Sequence, residues 1–374
     1  MSTRNFSAIS ALYYLMGVTA GLLGSVMVNI SQKTDASVAS TGLLMSFFNV
    51  GALVGIALFN AVSRRFFVNR VISIGSTVMV ASLLTLTSVG SYSISLVAAL
   101  LLGIGFGILD LGLVQLMTRT HETSIVRINI SNAIFGLGGV SGALMIHFFD
   151  VQFLATIAWI SLLIAIASAI SLSDNKWVIT HTSQKQTTLK PHGVLIPIFI
   201  AIALYVALEI SAASWLPTIS TLSGNGIKDG ALATSLFYLF FTTGRFIGAP
   251  IARRVRAKKM IFGSLLLSII PLVAALAQPD KTFWLVAITG LTLGPLYANT
   301  TGFLASVTPD NPGATAYLLY SAMAGSLLLF PLVGLILDRD STELFPLALL
   351  ALLLLSLTSY SIASINSKRA SENV

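Results

Sequence analysis

The chain has 374 residues, of which 55% are hydrophobic and only 9% charged, with a formal net charge of +8 and no cysteine. Soluble domains carry roughly a quarter charged residues, so a water-facing surface cannot be assembled from this balance and lipid must be the solvent for most of it. Lack of Cys excludes disulfides, thiolate metal sites and a catalytic thiol. The four His are nowhere grouped with acids at ligand spacing, and no H-E-x-x-H or Ser–His–acid set occurs, so neither an enzyme nor a bound cofactor is expected.

The first apolar run follows one basic residue, Arg4. It is longer than a signal-peptide core and many similar runs follow, so it reads as a retained first span. A hydrocarbon layer about 30 Å thick takes about 20 helical residues to cross, and backbone amides in lipid must be satisfied within the segment. Apolar runs of that kind fall at 6–29, 40–60, 71–89, 93–117, 127–148 and 152–172. The polar stretch SDNKWVITHTSQKQTTLKPHG occupies 173–193, and six more runs follow at 194–216, 230–251, 260–277, 282–305, 313–335 and 344–363. The expected fold is an all-α membrane protein with twelve transmembrane helices in two pseudo-symmetric six-helix bundles, 1–172 and 194–374, joined by a cytoplasmic linker at 173–193.

Charge placement gives the direction. With the N-terminus inside, the cytoplasmic segments hold Arg4, Arg64, Arg65, Arg70, Arg119, Arg127, Lys176, Lys185, Lys190, Arg253, Arg254, Arg256, Lys258, Lys259, Lys368 and Arg369, against Lys33, Lys228, Lys281 and Arg339 outside. Sixteen basic residues against four put both termini in the cytoplasm. The positive charge is thereby spent on orientation and on lipid head groups, and no nucleic-acid partner is expected.

The halves echo one another. FFNVGALVG at 47–55 is matched by FFTTGRFIG at 240–248, each leading to a basic loop, and Gly103 and Gly107 have counterparts in Gly290 and Gly294. Small residues four apart let helices approach closely in lipid. Two such halves around a central site suggest alternating access.

Several separated blocks carry a family likeness: GIGFGILDLGLVQ (103–115), RINISNAIFGLGGVSG (127–142), YVALEISAASWLP (205–217), the Gly244–Arg245 pair, GLTLGPLYANT (290–300) and the Gly325–Pro331–Asp338 series. With these the chain resembles the major facilitator superfamily over nearly its whole length and, more narrowly, the fucose–galactose–hexose proton symporters. The likeness implies a monomeric secondary transporter of the plasma membrane, in bacteria the inner membrane, taking up a sugar or related hydroxylated small solute with a proton. Sodium is an alternative coupling ion, and a proton-coupled efflux antiporter for drugs or other amphipathic compounds is the alternative function.

An acid or base at the centre of a lipid-spanning helix costs about 2.5–3.5 kcal/mol on insertion scales. Asp110, Glu209 and Arg245 stand at such positions. Burial disfavours an ionised carboxylate and a nearby cation favours it, so alternating exposure of one acid to two sides supplies proton-coupling chemistry. Asp110 and Glu209 are the proton-coupling candidates, against a reading as structural ion pairs or helix contacts. Glu209 also suits sugar hydroxyls, which a carboxylate accepts bidentately. Tyr205, four residues earlier on the same side, joins it.

Gln115, Asn129, Asn132, Tyr297 and Asn299 are candidate hydrogen-bonding ligands or, equally, helix-to-helix contacts. Trp215 is a candidate to cover a sugar face or a member of the interfacial aromatic belt. Gating or ion-pair roles fall to Arg64, Arg65, Arg127, Arg245, Arg253 and Arg254, which topology alone also explains.

Overall fold

The computed structural model describes residues 3–63, 65–118, 124–149, 153–173, 193–308, 314–338 and 342–372, and these are helical with no strand among them. The first half supplies α1 (Thr3–Thr34), α2 (Val38–Val62), α3 (Val68–Ser88), α4 (Tyr92–Thr118), α5 (Ser124–Phe149) and α6 (Leu154–Ser173). The second supplies α7 (Leu195–Ser214), α8 (Leu216–Leu222), α9 (Ile227–Ala252), α10 (Ala257–Ala277), α11 (Thr282–Leu293), α12 (Leu296–Val307), α13 (Ala314–Leu337) and α14 (Leu344–Glu372). Among the described residues, nine helices are long and apolar enough to cross a membrane. The linker 173–193 lies almost wholly outside the described residues.

Hydroxyls are numerous in these apolar helices and most satisfy themselves locally. Ser82 donates to Val78 O at 2.7 Å, Ser161 to Ile157 O at 2.8 Å and Ser268 to Ser264 O at 2.9 Å. Such back-bonding onto the preceding turn lets Ser and Thr sit where no water is available.

Two expected spans are interrupted. The run 282–305, read as one helix, is two: α11 stops at Leu293 and α12 begins at Leu296, with Gly294 and Pro295 between. Pro295 has no N–H to offer the carbonyl of Leu291, which ends the regular ladder. The seventh run turns a corner at Trp215 and continues as α8 to Leu222, beyond the expected end. Among the described residues fourteen α-helical segments therefore stand where twelve helices were expected.

Within the first half α1 packs on α5, α2 on α4, and α3 on α4 and α6; within the second α7 packs on α13 and α14, and α9 on α11. The sequence repeat is a packing repeat. Gly51 and Gly55 press on the carbonyls of Leu100 and Ile104, while Gly103 and Gly107 press back on those of Phe48 and Ala52. In the second half Gly244 presses on Leu291 O and Gly248 on the Pro295 ring, and Gly290 and Gly294 press back on the carbonyls of Phe237 and Phe241. A Cβ at these points would collide with backbone or, at Gly248, with the Pro295 ring, so glycine sets the α2–α4 and α9–α11 spacing.

The halves meet chiefly through α2 with α13 and α5 with α9. The Val38 amide donates to Asp338 Oδ1 at 2.8 Å, Ser46 Oγ to Leu327 O at 2.8 Å, and Asn49 Nδ2 to Ser326 Oγ at 2.9 Å. On the other seam Ser235 Oγ donates to Val140 O at 3.0 Å and His147 Nδ1 lies 3.1 Å from Lys228 O. Gly139 abuts the Tyr238 ring and Gly136 abuts Thr242. These contacts lie toward the end where α1 stops and α2 starts, here called the sealed end. One turn further along the same face of α5, Asn132 is exposed. The opposite end, toward which Asn132 lies, is here called the open end.

Candidate functional site

Two carboxylates, one from each half, mark the candidate site. Asp110 is on α4, whose glycines take up the contacts with α2 and α3; it lies within electrostatic reach of Tyr13 on α1 and Tyr297 on α12. Glu209 is on α7. Both side chains keep part of their surface accessible although they sit at mid-helix.

Tyr297 links the two. Its ring feels Asp110, Glu209 and Arg245 together, so the two acids and one guanidinium share one neighbourhood between the halves. Tyr238 on α9 faces the Glu209–Arg245 pair as well. Its position follows from helical spacing, since Ser235, Tyr238 and Thr242 run down the side of α9 turned to α5, with Arg245 two turns beyond Tyr238.

The Arg245 guanidinium is held in two ways. Its Cζ stands 4.3 Å from the centroid of the Phe241 ring one turn earlier, and its Nε donates to Gly294 O at 3.3 Å. Guanidinium over an aromatic face is a favourable cation–π arrangement. Tyr205 is completely buried; its hydroxyl donates to Leu293 O at 3.1 Å and lies within electrostatic reach of Glu209. Asn299 is buried and turns its Nδ2 onto Pro295 O at 2.8 Å. Two side chains expected near a ligand, Tyr205 and Asn299, and one expected in a gating or ion-pair role, Arg245, thus dress the break between α11 and α12, at Leu293, Gly294 and Pro295.

Other expected residues lie elsewhere. Trp215 has 0% of its surface exposed. Its indole stacks on Phe330 at 4.7 Å between centroids and 12° between planes, and its edge fills the seats left by Gly42 and Gly334. It sits in the α2–α13 seam at the sealed end, wholly covered by protein. Gln115 is half-buried one and a half turns past Asp110 toward the open end, and Asn132 is exposed there. Arg65, Arg253 and Arg254 are exposed at the open end. Arg64 and the side chains of Arg127 and Asn129 lie outside the described residues.

Sequence reading missed Tyr13, Tyr238 and Tyr360. Tyr360 bonds Thr300 Oγ1 at 2.5 Å and stands beside Tyr205. Tyr238 was within reach, because it shares the 3.6-residue stripe with Arg245; nothing local singles out the other two. The described residues hold no cluster of three or more His, Cys, Asp or Glu able to bind a metal.

Comparisons with known proteins bear on the fold and the family. The glucose/mannose transporter GlcP of Bacillus subtilis (strain 168) is 21% identical over 356 residues, covering 88% of this chain and 87% of GlcP. The nucleoside transporter NupG superimposes with a TM-score of 0.78 at 11% identity, covering 97% of this chain and 99% of NupG. The transporter FucP in its outward conformation gives a TM-score of 0.66 at 15% identity, covering 96% of this chain and 98% of FucP. The family model of the Major Facilitator Superfamily matches residues 9–330. With that match over most of its length and that fold throughout, the chain is a member of the Major Facilitator Superfamily, a family of membrane transporters.

Proposed function

We propose that the chain is a proton-coupled importer of a sugar or related hydroxylated small solute that works by alternating access. The observation that carries this reading is the pair of acids, Asp110 and Glu209, one in each half, both partly accessible and both within reach of Tyr297. A proton on either acid changes what Tyr297 and Arg245 feel, and a solute seated between the halves contacts the same groups. Protonation and substrate can then together favour the change of orientation, which is the linkage that symport requires.

Gln115, Asn132, Tyr297 and Glu209 line the proposed substrate path. A sugar presents hydroxyls that amides, a phenol and a carboxylate recognise as donors and acceptors together. The similarity to a glucose/mannose transporter points the same way. In this reading residues 1–172 and 194–374 are the two six-helix units, 173–193 links them on the cytoplasmic side, and the interrupted helices make twelve spans. The protein works as a monomer in a bacterial inner membrane. The positive-inside count places the open end in the cytoplasm, so the arrangement is inward-open, and Arg65, Arg253 and Arg254 close that mouth in the opposite state.

The test is purified protein in sodium-free proteoliposomes, challenged with hexoses, deoxyhexoses, glycosides and cationic drugs while external pH is followed. A sugar should alkalinise the outside as it enters with protons. Alkalinisation by no sugar, a strict need for sodium, or proton flux evoked only by the cationic drugs would overturn the proposal.

A further inference from the structure

The Tyr205 hydroxyl has one proton and two nearby acceptors. It donates to Leu293 O, the last carbonyl of α11, at 3.1 Å, and Glu209, one turn on along α7, lies within electrostatic reach of it. Arg245 stands in the same position, with Nε on Gly294 O at 3.3 Å and its charge beside Glu209. The two carbonyls at the break in the tenth span are therefore held by donors that an ionised Glu209 would also attract. A neutral Glu209 makes no such demand; its own O–H can donate to the Tyr205 oxygen while Tyr205 continues to serve Leu293.

We infer that Tyr205 is the positioning residue that ties the proton on Glu209 to the hinge between α11 and α12. With Glu209 neutral, Tyr205 and Arg245 stay on Leu293 and Gly294 and α12 is fixed to α11 as observed. With Glu209 ionised, the hydroxyl proton and the guanidinium turn to the carboxylate, because bonds to an ionised acceptor are roughly twice as strong as neutral ones. The break carbonyls are then released and α12 pivots. One proton enters or leaves, at Glu209, and no other group changes protonation.

The surroundings allow this. The titratable or charged groups around Glu209 are Tyr205 on its own helix, Tyr238 and Arg245 on α9 and Tyr297 on α12; Tyr360 on α14 faces Tyr205, and Asp110 on α4 acts through Tyr297. Arg245 is the charge among them that can leave the break for the carboxylate. The Gly294–Pro295 step lacks both a side chain and an N–H, so no local bond replaces the ones that let go.

This inference rests on Glu209 being a proton site of the proposed importer, and the test separates the two. The chain has no Cys, so spin labels can be placed without first removing any. Labels at Ile196 on α7 and Ala305 on α12, both exposed and in the same half, report the swing of α12 and not the motion of one half against the other. Electron–electron distance distributions are recorded from acid to alkaline pH without substrate. The labelled parent should pass from one narrow distance to a broad or displaced one as pH rises. Glu209→Gln should stay narrow at every pH; Tyr205→Phe, which keeps the ring, should be broad at every pH. If Glu209→Gln is fixed but Tyr205→Phe titrates like the parent, the hinge link is wrong and the proton site stands. If Glu209→Gln titrates like the parent, or the parent does not respond to pH, both fall.

Discussion

The backbone amide of Val38 donates to the carboxylate of Asp338 at 2.8 Å, across 300 residues of chain. Val38 is the first residue of α2, where amides lack helical acceptors and an anion is favoured by the helix dipole. The first half's second helix is thus capped by the end of α13 from the other half, and the cap exists only while the sealed end is closed.

Asp338→Ala removes this cap, and losing a cap costs about 1 kcal/mol. The closed-to-open ratio at the sealed end should fall roughly fivefold for a cost of that size. Thr41→Cys, buried in the same seam, reports it: thiol labelling from the sealed side should rise about as much in the Asp338→Ala background, and an unchanged rate would mean that Asp338 does not hold the seam.

Gly334 tests the same seam from within. A Cβ there would stand 2.9 Å from Trp215 Cζ2 and 3.5 Å from Ala39 Cα. Overpacking of this kind costs about 1–3 kcal/mol, and the indole, stacked on Phe330, has little room to yield. Gly334→Ala should therefore open the seam and raise Thr41→Cys labelling as Asp338→Ala does. Labelling below the parent's would show that the indole shifts without cost.

The glycine repeat predicts matched effects on stability. Gly51→Ala and Gly244→Ala each drive a Cβ into the carbonyl of a neighbouring helix and should each cost about 1–3 kcal/mol. Gly263 has nothing within 4 Å of its Cβ position, so Gly263→Ala should gain up to about 1 kcal/mol from helix propensity. Melting temperatures in detergent give the order: Gly263→Ala above the parent, the other two below it by similar amounts. A neutral Gly244→Ala would break the equivalence of the halves.

Asp110→Asn should abolish uphill uptake while sparing exchange of substrate across the membrane, because the carboxamide keeps the shape and cannot carry the proton. Glu209→Gln should weaken substrate binding as well as coupling, since its oxygens are proposed to meet hydroxyls. Proton-driven accumulation and equilibrium binding, measured on both variants, separate the roles; wild-type accumulation by Asp110→Asn would remove it from the proton path.

Much of the architecture was legible because lipid leaves a helix few options: ten of the twelve apolar runs each became one helix among the described residues, and the FFNVGALVG and FFTTGRFIG blocks became equivalent glycine contacts. The break in the tenth span was not read, although Gly294–Pro295 was in view, because hydropathy runs on unbroken through it. Asn299 shows why site residues resist such reading. An amide in a transporter helix can meet a solute or cap its own backbone, and this one turns to Pro295 O. Trp215 is similar: its place near a helix end fits an interfacial belt, yet the glycine seats that receive it, at Gly42 and Gly334, are far away in sequence.

In the proposed cycle the two halves rock about a shared site, with one end opening as the other closes. Spin labels at Gln32 and Asn225 span the sealed end, and labels at Phe66 and Lys259 span the open end; all four positions are exposed. On adding a transported sugar at acid pH, the first pair should lengthen while the second shortens. Both distances unchanged, or both moving in the same direction, would contradict alternating access in this protein.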